Sequence, residues 1–124
     1  MNYAESCTEA AEVVAGIKIR GGHAIALRAD VSDVGACAAL IRDTIDVLGG
    51  LDIVVNNAGI VRDGLICRMS DADWNAVIAT DLTGVFNVTR AAGQYLIRQH
   101  SGVIVNVASV SGMVGNVGQA NYSA

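Results

Sequence analysis

Two hydroxyl side chains, Ser109 and Tyr122, stand thirteen positions apart near the end of the chain, separated by a loop rich in glycine at Gly112, Gly115 and Gly118. Ahead of Ser109 runs Val103-Ile104-Val105-Asn106-Val107, introduced by Gly102 and dense in β-branched residues, which reads as a buried strand. In an open α/β sheet, ligands bind outside the carboxyl ends of the strands, so a hydroxyl just past this strand is well placed for chemistry. Two other stretches occupy equivalent positions. Asn56-Asn57-Ala58-Gly59 follows the apolar run Leu51 to Val55, and Ala29-Asp30-Val31 closes the shorter run His23 to Arg28.

Helical segments separate these runs. From Ser6 to about Arg20, Ala10, Val13, Val14 and Ile17 recur at a helical period, with Glu9 and Glu12 near the start and Gly21-Gly22 as a stop. Ser32 or Asp33 caps a second helix to about Leu48, with Val34, Cys37, Leu40, Ile41, Ile45 and Leu48 on one face. Ser70 caps a long helix through Trp74 and Val85 to about Gln99. Gly84 and Gly93 inside it each cost roughly 1 kcal/mol against alanine, a cost expected to be offset by close helix-to-helix approach. Helix, strand, helix, strand, helix, strand, with each strand an unbroken apolar run, predicts an α/β fold with a parallel sheet covered on both faces. At 124 residues, one domain spanning 1–124 is expected.

Composition excludes several functions. Hydrophobic residues make up 52% and charged residues 16%, which is core-rich and unlike a disordered chain. A net charge of −4 with five aromatic residues argues against a nucleic-acid surface. No apolar run reaches the roughly 18 to 20 residues a membrane span needs. Met1 to Glu12 has neither the basic nor the apolar region of a signal peptide, so a cytoplasmic protein is expected. Cys7, Cys37 and Cys67 are odd in number and far apart, so free thiols are expected rather than a disulfide or a zinc site. His23 and His100 stand alone, Trp74 reads as packing, and Asn116 and Gln119 read as loop-shaping.

The strand-end motifs together resemble the short-chain dehydrogenase/reductase family, and more narrowly its 3-oxoacyl-[acyl-carrier-protein] reductase branch, with further likeness in Gly59-Ile60-Val61-Arg62-Asp63-Gly64-Leu65 and Gly115 to Tyr122. The resemblance covers essentially the whole chain. It implies a Rossmann-like doubly wound sheet and an NAD(P)H-dependent reductase of 3-oxoacyl thioesters in fatty acid biosynthesis. A sugar, polyol or acetoacetyl-CoA dehydrogenase, or a catalytically inactive fragment, stands as the alternative. Tyr122 matches the family's catalytic acid/base and Ser109 the serine that binds the same carbonyl oxygen. Asp30 and Val31 match residues at the adenine end of the cofactor. Asn56, Asn57, Ala58 and Gly59 match the motif at its ribose, where small residues admit the backbone. The strand end Asn2-Tyr3 carries no acidic residue for an adenosine 2′-hydroxyl, which leans toward NADP(H). The helix from Ser70 resembles the element through which family members form homotetramers.

Three departures follow from the same resemblance. The family's glycine-rich turn, which holds the pyrophosphate, falls before Met1. Its lysine, the cation that lets a phenol of pKa about 10 act near neutrality, falls four residues after Tyr122. The chain therefore reads as an internal piece, inactive by itself. Asp81 stands where the family has an asparagine in the proton relay. A carboxylate accepts hydrogen bonds and does not donate, and it adds negative charge near a tyrosine that must lose a proton. In strand order 3-2-1-4-5-6, missing first and second strands leave a gap of roughly 14 Å. The strand around Ile25 is then expected to be orphaned, and the chain to be marginally stable or prone to aggregate.

Overall fold

The computed structural model describes residues 1–124. β1 (Asn2–Tyr3) leads into α1 (Cys7–Ile19), β2 (Leu27–Arg28), α2 (Val34–Leu48) and β3 (Ile53–Asn56). A long helical run follows, made of α3 (Asp71–Val77), a π-helical segment (Ile78–Thr83) and α4 (Gly84–Gln99). β4 (Val103–Asn106) and two short helices, α5 (Ser111–Val114) and α6 (Ala120–Ser123), complete the chain.

Local sequence explains most of these boundaries. Asp33, not Ser32, caps α2, its carboxylate accepting from the Ala36 N–H at 2.7 Å. Asp33→Ala is expected to lower stability by about 1 kcal/mol, read as a lower urea midpoint at unchanged slope. Ser70 Oγ accepts from the Asp73 N–H at 3.0 Å and opens α3. Gly49, at φ 84°, ends α2 in the left-handed conformation that glycine adopts without strain.

The sheet differs from the sequence expectation in three respects. There are four strands, forming two parallel two-stranded ladders, β1 with β2 and β3 with β4. The strand near Ile25 is separate from β3 and β4, as expected, but it has a partner that was not expected, because Asn2 and Tyr3 are extended and pair with Leu27 and Arg28. It is shorter than His23 to Arg28 since β1 offers only two residues to pair with. No ladder joins the two pairs, in keeping with an interrupted sheet.

The third difference is coverage. Successive strand residues point to opposite faces, and Val54 and Asn56 are buried against α2 and α4 whereas Ile53, Val55, Val103, Val105 and Val107 are exposed. The β3–β4 ladder is thus covered on one face only. Its core joins Cys37 and Ile41 of α2, Val88, Ala92 and Leu96 of α4, and Val31, Leu51 and Val54. Only 15 of the 124 residues are buried, a small core to set against the entropy of ordering the chain. No helix is long and apolar enough to cross a membrane.

Gly84 of the long helix has another explanation, and Gly93 has none in close packing. A Cβ on Gly84 would lie 2.7 Å from Val31 Cγ2, so Gly84 admits the loop after β2, not another helix. A Cβ on Gly93 would meet nothing within 4 Å.

Candidate functional site

The ends of β3 and β4 open side by side into a cleft of about 440 Å³. Asn57, Ala58 and Gly59 form one wall, Asn106 to Ser109 another, and Asp81 and Leu82 of the π-helical segment face them. Tyr122 reaches the same cleft from α6. Ser109 and Tyr122, with Asp81, are therefore brought together by three different elements.

Ser109 Oγ accepts from the Ser111 N–H at 3.2 Å, which orients it and leaves its proton available. Ser111, two residues on, turns its hydroxyl to Gln119 Oε1 at 3.2 Å and does not line the cleft. Gln119 also accepts from Asn116 Nδ2 at 3.0 Å and donates to Asp63 at 3.1 Å, consistent with loop-shaping roles for both amides. The Gly64 N–H donates to Gly118 O at 2.8 Å, tying this loop to the segment after β3.

Asn121 is the residue that sequence reasoning missed here. It is 1% exposed, and its Nδ2 donates to Arg62 O at 2.9 Å while its Oδ1 accepts from the Tyr122 N–H at 2.8 Å. It locks α6, and with it Tyr122, onto the loop after β3. Its one sequence signal is a position next to Tyr122.

Asp81 Oδ1 accepts from the Ile60 N–H at 2.9 Å, and a Cβ on Gly59 would lie 3.4 Å from its Oδ2. That is ordinary van der Waals contact, so the carboxylate lies against the strand-end backbone without requiring glycine there. Burial pushes the Asp81 carboxyl up from the usual carboxylate range, and the Ile60 N–H pulls in the other direction. A raised folded-state value means that ionisation costs folding free energy, and this cost grows as pH rises through that value. Asp81→Asn, still able to accept from Ile60, is expected to raise the urea midpoint at pH 7.5 and to gain less at pH 4.5. An equal gain at both values would contradict a burial penalty on the charge.

A second cleft, of about 560 Å³, adjoins the first and shares Ala58 and Gly59 with it. Asp30 and Val31 edge it. Asp30 Oδ1 accepts from Ser32 Oγ at 2.7 Å and from the Ser32 N–H at 2.9 Å, and these bonds hold its carboxyl below the usual range. Val31 is fixed through its carbonyl, which accepts from Asn87 Nδ2 at 3.1 Å and from the Cys37 thiol at 3.2 Å. Burial pushes that thiol's pKa up. Asn87, 2% exposed on α4, was not legible as a positioning residue, although an amide in an otherwise apolar helix stripe is the signal to look for.

Asn56 does not join the other members of its motif. Its side chain turns into the core, where Nδ2 donates to Asn106 Oδ1 at 2.8 Å and Thr89 Oγ1 at 3.1 Å, and it lines neither cleft. It ties β3 to β4 and α4, a holding role in place of the expected cofactor contact. Asn57, on the opposite side of the strand, faces the first cleft.

Comparison with known proteins bears on the family and the fold. The family model for short chain dehydrogenases matches residues 1–124. A 3-oxoacyl-[acyl-carrier-protein] reductase of Synechocystis sp. is 51% identical over all 124 residues, which cover 50% of its length. A 3-oxoacyl-[acyl-carrier-protein] reductase FabG of Staphylococcus aureus is 47% identical over the same span, again 50% of its length. The chain thus spans about half the length of the curated relatives it matches. A crystal structure of a short chain dehydrogenase from Mycobacterium avium superposes with a TM-score of 0.86 at 42% identity, over 91% of this chain and 42% of that one. Sequence, strand-end geometry and fold agree that the chain belongs to the short chain dehydrogenase family.

Proposed function

We propose that these residues form part of a nicotinamide-dependent carbonyl reductase that converts 3-oxoacyl thioesters to 3-hydroxyacyl thioesters in fatty acid synthesis. One observation carries the reading. Ser109, Tyr122 and the backbone of Asn57 to Gly59 converge on a cleft that continues, across Ala58 and Gly59, into a second cleft edged by Asp30 and Val31. A dinucleotide needs such a two-part groove at the carboxyl ends of parallel strands. Two small residues, Ala58 and Gly59, stand at the junction of the clefts. The relatives named as 3-oxoacyl-[acyl-carrier-protein] reductases support an acyl thioester carried on a protein as the substrate.

A reduced nicotinamide, when bound, supplies the hydride. Ser109 donates its free proton to the substrate carbonyl oxygen and orients it. Tyr122 gives its phenolic proton to the same oxygen, so that ketone, hydride and proton sum to the alcohol and no alkoxide is left in a mostly apolar cleft. Asp81 acts through Ile60, holding the loop that carries Gly59. Phe86 and Ile97, exposed on α4, supply apolar surface for a homotetramer.

The test is oxidation of reduced cofactor by the whole protein in the presence of a 3-oxoacyl thioester. Turnover supports the reductase. Its absence with every ketone and alcohol tried would favour a catalytically silent relative, a reading suggested by the carboxylate of Asp81 where the resemblance expects an amide.

A further inference from the structure

The second cleft has a wall that the strand-end motifs do not account for. β1 ends at Tyr3, and the backbone beyond it carries Ala4, Glu5 and Ser6 along the rim beside the end of β2. Glu9, in the first turn of α1, lines the same wall. Three carboxylates, Glu5, Glu9 and Asp30, therefore border this cleft against a single lining guanidinium, that of Arg62. Met1 also lines the cleft, its terminal ammonium donating to Ile25 O at 2.6 Å, and Arg28 lies close by on β2. Its Nε donates to Ala4 O at 3.0 Å, it does not line the cleft, and it forms no ion pair with Glu5, Arg42 and Asp43 making the molecule's one salt bridge.

Resting on the dinucleotide reading above, we infer that Glu5 makes this cleft selective for NAD(H) over NADP(H). The two cofactors differ at one group, the adenosine 2′ position, which is a neutral hydroxyl in one and a phosphate in the other. A carboxylate just past a strand end of such a sheet accepts a hydrogen bond from the ribose hydroxyl, whereas a phosphate there calls for a nearby arginine. Ionised phosphate monoesters carry about −1.5 to −2 charges near neutrality, and beside Glu5 and Glu9 that charge is repelled. Asp30 keeps the adenine-end position that the resemblance gives it, with Ser32 holding its carboxylate through Oδ1. Looking only at Asn2 and Tyr3 suggests the opposite preference. The acidic group lies two residues beyond the strand, where the chain turns toward α1.

Dissociation constants of the whole protein for NADH and NADPH, read by cofactor fluorescence at low and high salt, test the inference. NADH is expected to bind about tenfold more tightly at low salt. Glu5→Gln and Glu5→Ser are expected to bring the two constants within about threefold, by improving NADPH and, most in Glu5→Ser, by weakening NADH. Salt is expected to narrow the gap for the unaltered protein, because it screens exposed charges within a Debye length of about 8–10 Å. Equal or tighter binding of NADPH to the unaltered protein, or an unchanged ratio in both variants, would overturn the role of Glu5. Binding of neither cofactor would overturn the dinucleotide reading itself.

Discussion

Replacing Tyr122 by phenylalanine is expected to slow hydride transfer by the whole protein 10²- to 10⁴-fold, the usual contribution of a positioned acid/base, with cofactor affinity changed less than threefold. The argument rests on what the ring keeps and what it loses. The Asn121 hydrogen bond goes to the backbone N–H of residue 122, so α6 stays locked on the loop after β3 when the hydroxyl is removed. Ser109 still orients the carbonyl, and the other titratable side chain lining the cleft, Asp81, is held through Oδ1 against the Ile60 N–H. Stopped-flow decay of reduced cofactor absorbance separates this loss from a loss of binding. A Tyr122→Phe protein with more than a tenth of the parent rate would remove Tyr122 from the proposed chemistry.

Gly102→Ala is expected to cost roughly 2–4 kcal/mol, combining the strain of a non-glycine residue at positive φ with overpacking of a filled site. Gly102 sits at φ 137° at the entrance to β4, and a Cβ there would lie 2.6 Å from Leu96 Cδ2 and 3.3 Å from the Asp52 carbonyl oxygen. Leu96 belongs to the core, and Asp52 O accepts from the Val103 N–H at 2.8 Å to start the β3–β4 ladder. The added methyl therefore presses on the core and on the first rung of the ladder that delivers Ser109. With so small a core, a loss of this size leaves a large unfolded fraction. Gly93→Ala is the internal control. It meets nothing within 4 Å in a helix interior and is expected to gain up to about 1 kcal/mol. Parallel urea melts showing Gly102→Ala within 0.5 kcal/mol of the parent would contradict the clash.

Features set by residues a few positions apart were legible in the sequence. The cap at Ser70, the glycine stops after α1 and α2, the helical stripe of Cys37 and Ile41, and the positions of Ser109 and of Asn57 to Gly59 past their strands all depend on spacing and backbone preference. A chain's periodicity also reveals that strands alternate with helices, and hence which residues lie at carboxyl ends. Tertiary structure alone decided which neighbours those residues meet. Asn56 and Asn57 are adjacent and chemically identical, yet the two-residue period of a strand sends one into the core with Asn106 and the other into the cleft. β1 exists because two residues at the start of the chain find partners twenty-five positions away, at Leu27 and Arg28. Asn87 and Asn121 acquired their roles from carbonyls 56 and 59 residues distant, those of Val31 and Arg62. Glu5 and Asp30 line one cleft for the same reason: parallel strands gather their carboxyl ends on one edge, however far apart those ends lie along the chain.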